Sequence, residues 1–452
     1  MADLKTQTRA LRARTQSAFQ RLATGGDWAI TQPPPTRRNL IWFWLDGFFA
    51  SASENIVVTY LVIYFLALGA TQAQIGLMSS ISSLTAAALL LPGAMLVERY
   101  GRRQKIVLLS AGVGRLALLL IALMPLFIQP PATFLIYIVI ALSIIRDGMN
   151  NLSLPAWISL TGDIVPMAGR GRYFASRNFI MGISGISMTV LAGLLITRLV
   201  QPSGYQIALT AACVIGLFSL FSFSRIYDET LDAPLDLPEP AAAPRLSLRQ
   251  MSRELLAEMR DQPEFLRWAV TTALWNFSLN VAGPFFNVHM VKNLNADAAM
   301  IGITTIASSV ATMLAQRKVG ELNDRWGPRR LTMISGLLIP IVPLLWVFID
   351  AAWYVIPINL LSGALWGAYS LASFNYLLQI VPPERMARFS ALFQIIVTVS
   401  MAVGAAVGSL IVTAWSMQSV FFVSAVGRLL AALLFVWLIR PRRAAPALQT
   451  PG

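Results

Sequence analysis

Twelve long apolar runs, separated by short polar turns, fill almost the whole chain between residues 40 and 440. The hydrocarbon core of a bilayer is about 30 Å thick and takes about 20 apolar residues per helix. The runs lie near 40–68, 74–97, 105–128, 132–163, 177–199, 205–226, 264–291, 300–319, 331–349, 353–380, 389–413 and 417–440. Each is continuous and far longer than a strand of a membrane barrel, so helices are expected. Composition agrees. Of the 452 residues 56% are hydrophobic and 12% charged, which is about half the charge of an ordinary soluble domain. That little charge cannot cover the outside of a soluble enzyme, and that much apolar content excludes a disordered chain.

The net charge of +14 would point to nucleic acid in a soluble domain. Here it sorts by loop. Starting from an inside N-terminus, thirty of the 35 Lys and Arg fall in inside segments, and only Arg198 and Lys292 fall outside. Such asymmetry sets orientation. It predicts a multi-pass protein of the plasma (inner) membrane with both termini cytoplasmic and basic loops on the anionic inner leaflet. No nucleic-acid partner is expected. The first 39 residues are polar and basic, so no cleavable signal is expected. Within them Leu4, Leu11, Ala18 and Leu22 recur at near-heptad spacing, which suits a basic surface helix or an unstructured tail. Cys213 is the one cysteine. Disulfide and metal-cluster chemistry are therefore not expected, nor is a cofactor.

The runs divide into two sets of six. The expected regions are a basic tail (1–39), a first six-helix bundle (40–226), a linker (227–263), a second bundle (264–440) and a tail (441–452). The linker is acidic and proline-rich from Asp228 to Pro244, hence flexible. It then carries Leu248, Met251, Leu255 and Met259 on one face of an expected amphipathic helix. An internal repeat supports the division. A shift of 226 places Ile75-Gly76 on Ile301-Gly302 and residues 96–101 on 322–327; a shift of 216 places Ile164-Val165-Pro166 on Ile380-Val381-Pro382. Duplicated halves around a midplane site are a transporter architecture.

The segment from Gly320 through Asp324, Arg325, Gly327, Arg329 and Arg330 resembles the loop signature of the major facilitator superfamily. The first-half copy, with Glu98, Arg99, Gly101, Arg102 and Arg103, resembles it with two departures: Ala94 for the first Gly and Glu98 for the Asp. The resemblance implies an all-α membrane protein, twelve transmembrane helices in two pseudo-symmetric six-helix bundles. It also implies a secondary active transporter. Gly101 and Gly327 permit the tight reversal such a loop needs. By the resemblance, Glu98 would face the start of the eleventh span and Asp324 the start of the fifth, as a cytoplasmic gate. The alternative is that these loops only anchor headgroups and fix topology.

Ionisable groups at membrane depth are costly and by default mark function. The first span holds Asp46 and Glu54, eight apart and expected on one face. The fourth holds Arg146, Asp147, Asn150 and Asn151 as a polar stripe. Glu54 and Arg146 lie about 21 Å and about 25 Å from the inner ends of their spans at 1.5 Å per residue, so an ion pair is feasible. Glu54, Asp46 and Asp147 are the candidate proton carriers, with Arg146 as ion-pair partner. The alternative is a pair that only braces the bundle. The acids in the first helix and the Arg in the fourth resemble proton-coupled multidrug exporters of the superfamily. The fifth span, however, has Gly182, Gly185 and Gly193 without the Gly-Pro signature of those exporters.

The second half has no midspan acid; the repeat partner of Glu54 is Asn280. Trp275, Asn276 and Asn280 on the seventh span, Trp366, Tyr369, Ser373, Asn375 and Gln379 on the tenth, and Gln394 on the eleventh are substrate-cavity candidates, because pockets are mostly apolar with few placed polar groups. The aromatics among them suit helix packing equally. Arg115 and Arg428 are expected to snorkel or to meet backbone carbonyls. No nucleotide-binding loop and no Gly-x-Ser-x-Gly is present, so neither primary transport nor hydrolysis is expected. The expected function is movement of a small organic solute by alternating access, with protons as partner and efflux as direction, by a monomer. The alternatives are uptake by the same fold, or a non-transporting membrane module that binds lipid or pigment.

Overall fold

The computed structural model describes residues 19–128, 133–166, 169–227, 260–381 and 386–439. The acidic part of the linker, its expected amphipathic helix and both chain ends lie outside the described residues. Among the described residues the regular structure is helical, with no strand. In the first half the helices are α1 (Pro34–Ala67), α2 (Gln72–Tyr100), α3 (Arg103–Leu123), α4 (Thr133–Ile164), α5 (Arg170–Arg198) and α6 (Ser203–Ser224). The second half has α7 (Pro263–Ala282), α8 (Phe285–Lys292), α9 (Ala298–Trp326), α10 (Pro328–Leu338), α11 (Ile341–Trp346), α12 (Val355–Ile380), α13 (Met386–Ala414) and α14 (Met417–Leu438).

Among the described residues eleven segments are long and apolar enough to cross a membrane. The seventh expected run is the exception. It breaks into α7 and α8 at Gly283-Pro284, where the proline has no N–H to continue the ladder. Thr271, Thr272, Asn276, Ser278 and Asn280 also dilute the apolar content of α7. Local chemistry sets the other ends. Pro34 opens α1 from the first turn, where its missing N–H costs nothing. Thr71 and Gln74 form a capping box at α2, with bonds of 3.2 and 2.8 Å. Gly101 (φ 63°) and Gly327 (φ 77°) reverse the chain in the left-handed region, as the loop signature requires.

Two compact units result. The first takes the described residues up to 227 together with Pro284–Ile306 and Asp350–Trp353; the second takes 260–283, Ala307–Ile349 and those from Tyr354 on. In the first unit α1 packs on α5 and α6, while α4 packs on α2 and α3. Leu40, Phe43, Trp44, Ile164, Tyr173 and Phe223 fill one end, and Tyr173 Oη donates to the Leu40 carbonyl at 2.8 Å. Residues 19–31 cap that end. Phe19 meets Trp44 edge-on at 5.7 Å, Ser176 Oγ donates to the Leu22 carbonyl, and a methyl at Gly169 would overlap the Trp28 indole. This stretch of the basic tail is therefore docked; residues 1–18 lie outside the described residues. In the second unit the pairing recurs, with α7 on α13 and α14, and α10 on α12. Phe265, Trp268, Tyr376, Phe389 and Phe435 form its aromatic core.

Candidate functional site

In the first unit α1 and α4 bring their buried charges together. Arg146, 5% exposed in its side chain, is held between two carboxylates. Its Nη2 donates to Glu54 of α1, and its Nη1 donates to Asp147 Oδ1 at 2.9 Å. The carboxylates are more open, at 41% for Glu54 and 34% for Asp147. One guanidinium thus serves two acids that are each far more open than it is. Asn151 continues the stripe and donates to the Asp147 carbonyl at 2.8 Å, while Asn150 is exposed.

Asp46 belongs to a different cluster. It accepts from Ser219 Oγ of α6 at 2.7 Å and from Arg177 Nη2 of α5 at 3.3 Å, and both side chains of this pair are under a tenth exposed. Arg177 also donates to the Phe43 carbonyl at 3.1 Å and lies 4.2 Å over the Phe43 ring. The expectation that Asp46 and Glu54 share one face does not hold. Eight residues at 3.6 per turn overshoot two turns by about 80°, enough to turn Asp46 toward α5 and α6 while Glu54 meets α4. Arg177, which the charge count places in a cytoplasmic loop, is two turns inside α5. Its position at the edge of an apolar run was the only signal for that role.

Arg115 of α3 turns inward. Its Nη1 donates to Ser53 Oγ at 3.1 Å, one residue from Glu54. In the second unit Arg428 of α14 is buried and donates to the Leu279 carbonyl of α7 at 3.3 Å. Of the two expectations for these arginines, the bond to a carbonyl describes Arg428. Arg115 meets a hydroxyl instead.

The second-unit candidates separate by burial. Trp275 and Tyr369 are buried and stacked at 4.5 Å, with Trp366 stacked on Tyr369 at 5.7 Å and itself exposed. Asn280 is buried and donates to the Met401 carbonyl at 2.7 Å. Asn276 is half-buried, bonded to the Thr272 carbonyl at 2.9 Å. Ser373 and Asn375 are half-buried, and Gln379 and Gln394 are exposed. At the loops, Arg103 bridges Ser159 (3.0 Å) and Asp163 (2.5 Å) on α4. Arg329 donates to the Ile439 carbonyl beyond α14 (2.9 Å from Nε), a favourable place for a cation. Arg99 lies over Tyr100; Arg102 is half-buried, and Arg325 and Arg330 are exposed. The side chains of Glu98 and Asp324 lie outside the described residues, and with them the proposed gate contacts.

Comparison with known proteins matches the chain, over residues 43–286 and again over 268–452, to the family described as Major Facilitator Superfamily. Multidrug resistance protein MdtG of Salmonella dublin is 25% identical over 430 residues, covering 90% of this chain and 97% of that protein. Its Serratia proteamaculans counterpart is 22% identical over 427 residues, covering 90% and 95%. Among solved structures the chain resembles the nucleoside transporter NupG (TM-score 0.60, 13% identity, 89% of this chain and 99% of that one). It also resembles a POT family transporter in complex with 5-aminolevulinic acid (TM-score 0.66, 12% identity, 88% and 95%).

Proposed function

This chain belongs to the major facilitator superfamily, and on that premise we propose that it is a proton-coupled exporter of small organic solutes, working by alternating access in the plasma (inner) membrane with both termini cytoplasmic. It is a membrane transporter, not an enzyme. Efflux as the direction draws on the near full-length likeness to proteins named for multidrug resistance.

The single observation that carries the coupling is one buried guanidinium shared by two partly open carboxylates. Glu54 and Asp147 compete for Arg146. When one takes a proton, its hold on the guanidinium weakens and the other carboxylate receives the charge alone. Protonation therefore redistributes bonds between α1 and α4 without leaving Arg146 unpaired, which a buried cation tolerates poorly. Asp46 has no such freedom. Ser219 and the cation Arg177 hold it inside the bundle, and we assign it to bracing α1 against α5 and α6.

Solute contacts are assigned to the open polar groups: Asn150 and Asn151 in the first unit, Asn276, Trp366, Ser373, Asn375, Gln379 and Gln394 in the second. Acids in the first unit favour a cationic or neutral amphiphile over an anion. The loop residues around Gly101 and Gly327 are assigned to gating. Growth of an expressing strain against a panel of lipophilic cations tests the reading. Resistance above the empty-vector control that disappears in Glu54→Gln supports it; equal resistance in both strains contradicts it.

A further inference from the structure

The Glu54–Arg146 pair has a second cation behind it. Arg115 follows Gly114 on α3, and a methyl at Gly114 would lie 3.9 Å from Arg146 Cγ and 3.7 Å from Asn150 Oδ1. From there the Arg115 side chain crosses to α1, where its Nη1 donates to Ser53 Oγ at 3.1 Å. Ser53 is fully buried and donates in turn to the Ala212 carbonyl of α6 at 2.7 Å. One step of α3 thus abuts the stem of Arg146 and, one residue on, holds the chain neighbour of Glu54.

The packing leaves a slot for this guanidinium. A methyl at Gly216 of α6 would lie 2.4 Å from Arg115 Nε, so the side chain fills the room that glycine leaves. Arg115 Nε is buried without a hydrogen-bond partner, and among the described residues no carboxylate lies within ion-pair reach of Arg115. As a brace alone, a cation in such a place is inferior to an apolar residue of similar volume. Its charge has a use if another group feels it. Among neighbouring charges Glu54 acts on Arg115 most strongly, ahead of Arg146 and Asp46, and Glu54 in turn feels Arg146 first and Arg115 next.

The other ionisable groups near α1 are engaged elsewhere. Of the helices packed against it, α4 brings Arg146 and Asp147, already paired. Arg177 of α5 is bonded to Asp46. On α6, Cys213 donates to the Arg115 carbonyl at 3.3 Å and Tyr205 lies beside Tyr64. His289 and Lys292 belong to α8, beyond the break at Gly283-Pro284. Among the described residues only Arg146 hydrogen-bonds Glu54.

We propose that Arg115 is a positioning residue for the proton step: anchored on Ser53, it keeps a second positive charge behind Glu54 and sets the pH range over which that carboxylate exchanges its proton. The inference rests on the reading of Glu54 as the proton carrier. A nearby cation favours the charged form of a carboxylate. When Arg146 turns to Asp147, Arg115 stays beside Glu54 and opposes premature protonation.

The test follows transport of tetraphenylphosphonium by the full-length protein in proteoliposomes, at a fixed pH difference while the absolute pH is varied. Arg115→Gln, which keeps a donor for Ser53 and removes the charge, is expected to move the midpoint of the pH–rate profile up by about one unit. Arg115→Lys, which keeps the charge, is expected to hold the wild-type midpoint. An unmoved midpoint in Arg115→Gln, or an equal shift in Arg115→Lys, overturns the proposal. Should Arg115→Gln not fold, Arg115→Met takes its place with the same expected shift. Glu54→Gln separates the two claims. A flat profile there with no shift in Arg115→Gln refutes the role of Arg115 alone, whereas a wild-type profile there refutes the proton reading and this inference with it.

Discussion

Arg115 and Arg428 reach the same repeat position on the leading helix of their own bundles. Arg115 Nη1 donates to Ser53 Oγ at 3.1 Å, and Arg428 Nη2 donates to the carbonyl of Leu279, which is Ser53 shifted by 226. They come from different helices, the third of one half and the last of the other. Their surroundings differ as well. Arg115 lies beside an acid-bearing stretch of α1, whereas Arg428 has no carboxylate partner among the described residues.

That difference gives opposite expectations for removing the charge. Replacing a buried ion by a well-packed apolar residue is often neutral or stabilising, whereas breaking a pair is strongly destabilising. Arg428→Met is expected to leave Tm unchanged or raise it. Arg146→Met, which sets Glu54 and Asp147 side by side without their cation, is expected to lower Tm and yield. A fall in Tm for Arg428→Met as large as that for Arg146→Met would contradict this account.

Asp46 and Arg177 are both buried, so neither charge can recover solvent when its partner is removed. Asp46→Asn is expected to cost about 3–5 kcal/mol of stability. The double variant Asp46→Leu/Arg177→Met is expected to recover most of that loss. Denaturation of the single and double variants measures the coupling, and additive losses would show that the pair does not brace the bundle.

Tyr60 Oη donates to the Thr189 carbonyl at 2.8 Å, and a methyl added at Gly193 or at Gly302 would lie 2.6 Å from that oxygen. Both glycines leave room for the hydroxyl. Gly302→Ala is expected to cost about 1–3 kcal/mol by overpacking, and Tyr60→Phe, which deletes the oxygen, is expected to relieve it. A double-mutant cycle reads this as a non-zero interaction energy; strict additivity would place the strain elsewhere.

Much of this was legible in the sequence, for reasons that particular residues make plain. Run length and continuity gave the helical membrane class, and the Gly101 and Gly327 loops carried the family resemblance. Glu54 and Arg146 could be paired because depth follows from rise per residue. The break at Gly283-Pro284 was hidden, since the apolar run continues through it. Asp46 was misdirected because eight residues nearly close two turns without doing so. Arg177 read as loop charge because apolar runs do not reveal where a helix begins. Trp275 and Tyr369 showed as stripe residues, but periodicity does not distinguish a bundle interior from a solute path. Only packing separates them.

The central claim, that Glu54 carries the coupled proton, is tested most directly in proteoliposomes with an imposed pH gradient, following both a lipophilic cation and lumenal pH. Wild type is expected to move the cation against its gradient with matching proton flux. Glu54→Gln is expected to bind the cation with similar affinity and to lose the gradient-driven component of both signals. Undiminished gradient-driven movement in Glu54→Gln would contradict the account.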